Sequence, residues 1–226
     1  MTGSMMELKS SNGIFNRLDD KKKENILSVS MKEFSDNGFK SANINIIAEK
    51  ARVSVGAMYK YFDSKRALYL ACLEWSLIRL SSKIGGVIDS ETDLFIIIER
   101  IIQVIQDSRI ENEQFNKLYY EMATESNAEF AMLISGQIEG VTSNLYAAYL
   151  KEAQNSGLIR QDLDPRFFAF FIDNLFMMLQ FSYSCEYYKD RMQLYTYSDV
   201  FSDDIRLRDQ AMRFIKGALL YTPNEN

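Results

Sequence analysis

The sequence predicts an all-α protein: an N-terminal three-helix unit of the helix-turn-helix kind, followed by a larger helical domain. Three observations carry that prediction. Only 2 of the 226 residues are proline while 47% are hydrophobic, which favours long uninterrupted helices over a turn-rich sheet protein. Apolar residues recur at three- and four-residue spacing, and no Asn-Gly or Asp-Gly pair joins two alternating segments as a hairpin would. Helix-opening and helix-closing residues stand at the ends of the periodic runs.

The first helix is expected from Asp20 to Asn37, with Leu27, Met31 and Phe34 on one face and Ile26 beside them. Lys21, Lys22 and Lys23 crowd its first turn, where the helix dipole favours anions. A nearby phosphate backbone would relieve that conflict; a solvated charge run is the alternative. Gly38 stops the helix and residues 39–42 form a link. Asn43 is placed to cap a short helix running through Ala51, with Ile44, Ile47 and Ala48 turned inward. After a tight turn at Arg52-Val53, Ser54 caps a third helix, Val55 to Tyr61, and a fourth runs from Lys65 to about Ile88. Short helices joined by such a turn make a helix-turn-helix.

Further along, Ser90-x-x-Asp93 reads as a capping box opening a helix that ends near Arg109. Another helix is expected over Asn112–Ser126, and a long one over Ala128–Ser156 that Gly157 stops. Asp164-Pro165, an N-cap followed by proline at the first helical position, opens a helix to about Lys189. A polar connection, Met192 to Asp204, precedes a last helix over Arg206–Tyr221. The expected division is therefore residues 1–19 as a flexible arm or an expression remnant, 20–66 as the helix-turn-helix domain, and 67–226 as the second domain.

Composition excludes several function classes. With no histidine, the usual general base and the commonest transition-metal ligand are both missing. Cys72 and Cys185 stand far apart without ligand spacing, as buried thiols of a reducing compartment do. No carboxylate, serine or lysine constellation stands out, so neither an enzyme nor a metal or cofactor site is expected. Residues 1–12 are mostly polar and carry no secretory signal, which points to the cytoplasm. The most apolar stretch, Phe167–Phe181, falls short of the roughly 20 residues of a membrane span and is broken by Asp173-Asn174. Charge is unevenly placed: residues 1–70 hold 12 Lys and Arg against 8 Asp and Glu, the remainder 14 against 23. A basic head on an acidic remainder suits one nucleic-acid-facing domain.

The segment Ile44–Leu68 closely resembles the signature of the TetR/AcrR family of regulators. The resemblance rests on Ile47-Ala48, Val53-Ser54, Gly56, Tyr59-Lys60-Tyr61-Phe62 and Ser64-Lys65-Arg66-Ala67-Leu68, and covers roughly residues 20–70. It implies a DNA-binding head and a C-terminal domain that binds ligand and dimerises. The residues have a physical reading of their own. Met58 and Phe62, four apart, pack into the small core. Ser54, Gly56, Ala57, Tyr59, Lys60 and Tyr61 are expected on the other side, facing double-stranded DNA together with Asn43 and Val55. Lys65, at the start of the fourth helix, offers an anion site. Gly56 inside a helix costs about 1 kcal/mol relative to alanine, which makes sense where something must approach the backbone closely. Two departures stand out: Arg52 occupies a turn position where the family has glycine, and Val55 and Ala57 replace polar residues, leaving fewer side chains to read base edges.

In the second domain, the resemblance implies a four-helix homodimer interface, for which Phe168, Phe171, Leu175, Met178, Phe214 and Ile215 are the candidates. Phe115, Tyr119, Met122, Met177 and Phe181 are the candidates for an apolar effector site, since methionine and flat aromatics suit such pockets. Glu121 is a candidate to face a cationic ligand. The function expected is a ligand-responsive transcriptional regulator, a repressor released from a palindromic operator by a largely apolar small molecule. The alternative is a helical sensor or carrier of apolar ligands with lost or weak DNA binding.

Overall fold

A computed structural model of the chain describes residues 10–89, 91–124, 140–196 and 199–220, and among them every regular element is a helix. In order these are α1 Gly13–Asn16, α2 Asp20–Ser41, α3 Ile44–Lys50, α4 Val55–Tyr61, α5 Lys65–Asp89, α6 Leu94–Asp107 and α7 Glu113–Thr124. Then come α8 Gly140–Asn155, α9 Pro165–Ser184, α10 Glu186–Thr196, a 3-10 turn at Val200–Ser202, and α11 Asp204–Leu219. The chain divides into two compact units, one of residues up to Ser82 with Asn112–Glu125, the other of Lys83–Glu111 with Ser126 onward. The division therefore does not fall at residue 66: most of α5, and α7 with it, belong to the head.

The head is built on α2, which packs against α3 and α7. Ile26, Leu27, Met31 and Phe34 recur at helical spacing and are buried, each worth about 1.5–3 kcal/mol of hydrophobic stabilisation. Asp19 caps α2 by accepting the Lys22 N–H at 3.0 Å. Of the three first-turn lysines, Lys23 is buried and pairs with Asp20 at 3.3 Å, whereas Lys21 and Lys22 are exposed. Phe34, Phe39 and Tyr69 form an edge-on aromatic cluster, with centroids 5.1 Å and 5.3 Å from Tyr69. The buried Tyr69 hydroxyl donates to the Leu118 carbonyl of α7 at 2.8 Å. α7 is thus pinned to the head by α5 as well as by α2.

The segment before α2 departs from expectation. Ser10–Arg17, read from sequence as flexible, contains α1, capped by Asn12 and anchored by the fully buried Phe15. One helical turn with one apolar anchor gives no periodicity for a pattern reading to detect.

In the second unit α6 presents Ile97, Ile98, Ile101, Ile102 and Ile105 as one buried stripe, joined in a single core by Ile172, Phe176 and Leu179 of α9 and Leu207, Met212 and Leu219 of α11. A polar network crosses this unit. The buried Gln106 side chain donates to the Asp204 carbonyl at 2.8 Å and accepts from Arg208 at 2.9 Å. Arg109 and the Tyr183 hydroxyl both meet the Asp204 carboxylate, at 2.7 and 2.8 Å. Burial pushes the Tyr183 hydroxyl up to about 12; the Gln106 hydrogen bond opposes the rise and Asp204 adds to it.

Two further boundaries differ, and a third lies partly outside the described residues. Asp93 caps α6 itself, accepting from Phe95 and Ile96 at 2.8 and 3.1 Å, rather than serving as the third residue of a box opened by Ser90, which lies outside the described residues. The helix expected over Ala128–Ser156 is described from Gly140 to Asn155, and its first part lies outside the described residues. The helix opened by Asp164-Pro165 stops at Ser184, where the extended Cys185 (φ −120°, ψ 119°) breaks it, and α10 then occupies part of the expected polar connection. Gly157, at φ 75°, ends α8 as expected.

Candidate nucleic-acid interface and ligand cavity

The turn between α3 and α4 is assembled from side-chain caps. Asn43 accepts the Asn45 N–H at 2.8 Å, and its own N–H reaches Glu33 at 3.4 Å. The Glu33 side chain, only 4% exposed, also holds Lys50 at 3.2 Å, so one buried carboxylate ties α2 to both ends of α3. Asn25 donates to the Ala51 carbonyl at 2.9 Å and closes the C-terminal end of α3. Arg52 adopts the left-handed conformation at φ 57°, as the family's glycine would, and the Val53 N–H returns to the Ala48 carbonyl at 2.9 Å. A non-glycine residue there costs about 1–2 kcal/mol, and the turn forms in spite of it. Ser54 then caps α4, accepting the Ala57 N–H at 3.1 Å.

Helix α4 buries Met58 and exposes Ser54, Gly56, Tyr59 and Lys60, with Val55 and Ala57 half-exposed beside them. A Cβ built on Gly56 meets nothing within 4 Å, so no neighbour within the protein requires glycine there. Tyr59 is 56% exposed, which is a large area of flat amphipathic side chain on a small head. Asn43 is exposed at the start of α3, though its carbonyl oxygen is committed to the cap.

Two of the expected DNA-facing residues are placed otherwise. Tyr61 is 8% exposed and packs edge-on against Phe15 at 5.9 Å, because it lies three residues after Met58 and shares its buried face. The Lys65 ammonium donates to the carbonyls of Lys40 and Ala42 at 2.9 and 3.1 Å and sits 5.1 Å from the Phe39 ring centre. It braces the link before α3 instead of standing out as an anion site.

The expected effector residues fall in both units. Phe115 and Tyr119 belong to α7, with Phe115 buried and the rings 5.8 Å apart; the side chain of Met122 lies outside the described residues. Met177 and Phe181 belong to α9, where Met177 is half-buried and Phe181 is buried 5.5 Å from the Tyr188 ring. Glu121 accepts the Phe39 N–H at 3.0 Å, close against Gly38, whose φ of 69° takes α2 out of helical conformation. Within the second unit a narrow apolar cavity of about 30 Å³ is lined instead by α6 (Leu94, Ile97, Ile98, Ile101), α8 (Tyr146, Tyr149, Leu150) and α9 (Ile172, Phe176). Burial, with Asp173 adding to it, raises the Tyr146 hydroxyl well above the usual tyrosine range. A larger, more open and polar groove of about 720 Å³ runs over α8 and the loop before α9, past Lys151, Asp162 and Arg166.

Of the expected interface residues, Phe171 and Phe214 are 56% and 71% exposed, and Phe168, Leu175 and Met178 are half-buried. Ile215 is 2% exposed within its own unit, because it follows Met212 by three residues on the inward face of α11. Phe167 and Phe170, at 63% and 62%, extend the exposed apolar strip on α9. Among the described residues no helix is long and apolar enough to cross a membrane, and no group of three His, Cys, Asp or Glu is placed to hold a metal ion.

A capped helix-turn-helix, in a chain whose described regular elements are all helices, is the arrangement of helix-turn-helix DNA-binding heads. The profile of the bacterial regulatory proteins of the tetR family matches residues 26–72. Over those residues the chain is similar to the DNA-binding domain of that family. It is similar to the HTH-type transcriptional activator FasR of Mycolicibacterium smegmatis, 34% identical over 79 residues, which are 34% of this chain and 36% of FasR. The chain spans well under half the length of the first curated relatives it matches. The whole fold resembles the fatty acid degradation regulator FadR from Bacillus halodurans, with TM-score 0.69 and 20% identity, covering 87% of this chain and 98% of that one. It resembles FadR from Bacillus subtilis, solved with stearoyl-CoA, at TM-score 0.69 and 17% identity, covering 85% and 96%.

Proposed function

We propose that this chain is a ligand-responsive, homodimeric repressor, released from a palindromic operator by a largely apolar small molecule. The observation that carries the DNA-binding reading is Gly56. It stands exposed in the first turn of the helix that follows the turn, on the same helix as Tyr59 and Lys60, and no neighbour within the protein calls for its missing side chain. A duplex approaching that backbone would. Tyrosine hydroxyls and lysine are phosphate-contacting types that fix register, while Val55 and Ala57 leave apolar contact with thymine methyls.

The apolar effector is supported by the cavity between α6, α8 and α9, whose lining is aliphatic apart from two tyrosines and one phenylalanine. At about 30 Å³ it holds no drug-sized molecule, so an effector must spread these helices to enter. B. subtilis FadR, of like fold, was solved with a long-chain acyl-CoA, and an acyl chain has the shape such a crevice admits. Exposed Phe167, Phe170 and Phe171 on α9, with Phe214 exposed on α11, are the kind of apolar surface that soluble monomers avoid, which supports a dimer. A dimer sets two recognition helices at half-sites one helical turn, or a multiple of it, apart.

Release requires the effector to bind the DNA-incompetent arrangement better than the DNA-bound one. A typical coupling of about 1–3 kcal/mol corresponds to about 5–150-fold, and DNA must weaken effector binding by the same factor. Helix α5, continuous from Lys65 to Asp89, starts directly after the recognition helix and is the candidate to carry that coupling. The alternative, a carrier that no longer binds DNA, draws on Arg52, Val55 and Ala57; the left-handed Arg52 leaves the turn and both caps formed, which favours the regulator. Selection of genomic fragments by the purified dimer tests the reading. Recovery of a palindrome bound at nanomolar concentration with steep salt dependence is expected. Recovery of no sequence over background would overturn it in favour of the carrier.

A further inference from the structure

The recognition helix is short, and the family match begins only at Ile26, yet the residues before that point touch the helix directly. The last four carbonyls of any α-helix lack partners within it, and seven residues of helix are marginal alone. Here the Met58 carbonyl is taken by the Phe62 N–H at 2.9 Å. The Tyr61 carbonyl accepts from the Asn12 backbone N–H at 3.1 Å, and the Lys60 carbonyl accepts from the Asn12 side-chain amide. The other end of that amide caps α1, accepting from Ile14 and Phe15 at 3.1 and 3.4 Å. Phe15, fully buried, then inserts its ring 4.7 Å from Phe62 and 5.9 Å from Tyr61. Upstream, Ser10 fastens the segment to α5 by its N–H and hydroxyl, both on the Glu74 carboxylate at 3.1 and 2.9 Å.

We infer that Ser10–Arg17 is a strut that fixes the C-terminal end of the recognition helix, with Asn12 and Phe15 as positioning residues for DNA binding. The inference rests on the DNA-binding reading above. Asn12 joins two jobs in one side chain: its oxygen starts α1, and its amide nitrogen holds a carbonyl of α4. Neither Asn12 nor Phe15 carries charge, so these two residues contribute geometry and no ion pair with phosphate.

Asn12→Ser separates the two jobs. Serine caps a helix about as well as asparagine, is neutral, and has no amide to reach the Lys60 carbonyl. Loss of one such hydrogen bond is expected to weaken binding to the duplex recovered by fragment selection by about 2- to 10-fold. The slope of log K against log salt should stay at the wild-type value, since no ion pair is lost. In the DNA-free protein, amide exchange at Phe62 should quicken while exchange in α6 does not. Phe15→Leu, a second and independent variant, should give the same signature. Faster exchange with unchanged DNA affinity would make the strut merely structural and overturn the inference. Weaker DNA binding with unchanged exchange would mean that Asn12 acts on DNA itself, which also overturns it. If the wild-type protein selects no duplex, the DNA-binding reading fails and the positioning role falls with it, whatever the exchange shows.

Discussion

Replacing Arg52 by glycine should stabilise the protein. Arg52 sits at φ 57°, alone among the described non-glycine residues in having a positive φ. The left-handed conformation costs a residue with a Cβ about 1–2 kcal/mol, and glycine adopts it freely. Glycine also has more freedom to lose on folding, which takes back about 0.4–1 kcal/mol. The balance is a gain of about 0.5–1 kcal/mol, or roughly 1–4 °C in Tm for a chain of this length. Arg52→Ala keeps the Cβ and the penalty, so it should change stability little. Denaturant unfolding of the three proteins at equal concentration measures the differences. A destabilised Arg52→Gly, or an Arg52→Ala stabilised as much as the glycine variant, would refute the reasoning, because only the missing Cβ is supposed to matter. The side chain is exposed, so if it also meets phosphate both variants lose about one unit of salt slope whatever their stability.

Lys60→Ala should lower the slope of log K against log salt by about one unit with an unchanged Tm, since Lys60 is exposed. Lys65→Ala should instead cost about 1–3 kcal/mol of stability in thermal unfolding, because its ammonium braces two carbonyls of the link before α3. Glu121→Ala should destabilise the head by about 1–2 kcal/mol, visible as faster amide exchange at Phe39, which loses its acceptor. Phe214→Asp should shift sedimentation from dimer to monomer, since burying an unpaired charge costs several kcal/mol; a variant as dimeric as the wild type would remove Phe214 from the interface.

Much of the helix layout was legible because its signals are local. The caps at Asn43, Ser54 and Asp164 act on N–H groups two or three residues away, and the positive-φ stops at Gly38 and Gly157 need only their own backbone. Errors arose where phase or tertiary packing decides. Tyr61 and Ile215 each lie three residues beyond a buried methionine, which turns them inward; a stricter helical count would have found both. Lys65 and Glu121 are spent on backbone groups 23 to 82 positions away, pairings that no spacing rule reveals. The strut was missed because α1 spans four residues, although Asn12 before Gly13-Ile14-Phe15 is an N-cap signal in plain view. The cavity lining has no signal of its own in the sequence: the α6 isoleucines recur at core spacing, and most of them are core.

The two thiols differ in a way that has a practical use. Cys72 is sealed in the head and burial pushes its thiol far above the ordinary range, so almost none of it is thiolate at neutral pH. Cys185 is half-buried at the break between α9 and α10, and neither cysteine is in a disulfide. Treated with a maleimide dye, the natural sequence should therefore react at a single site without any cysteine being engineered in or out. A dye there rides on the corner where the long apolar helix gives way to α10, a built-in reporter of whether that corner shifts when an effector enters.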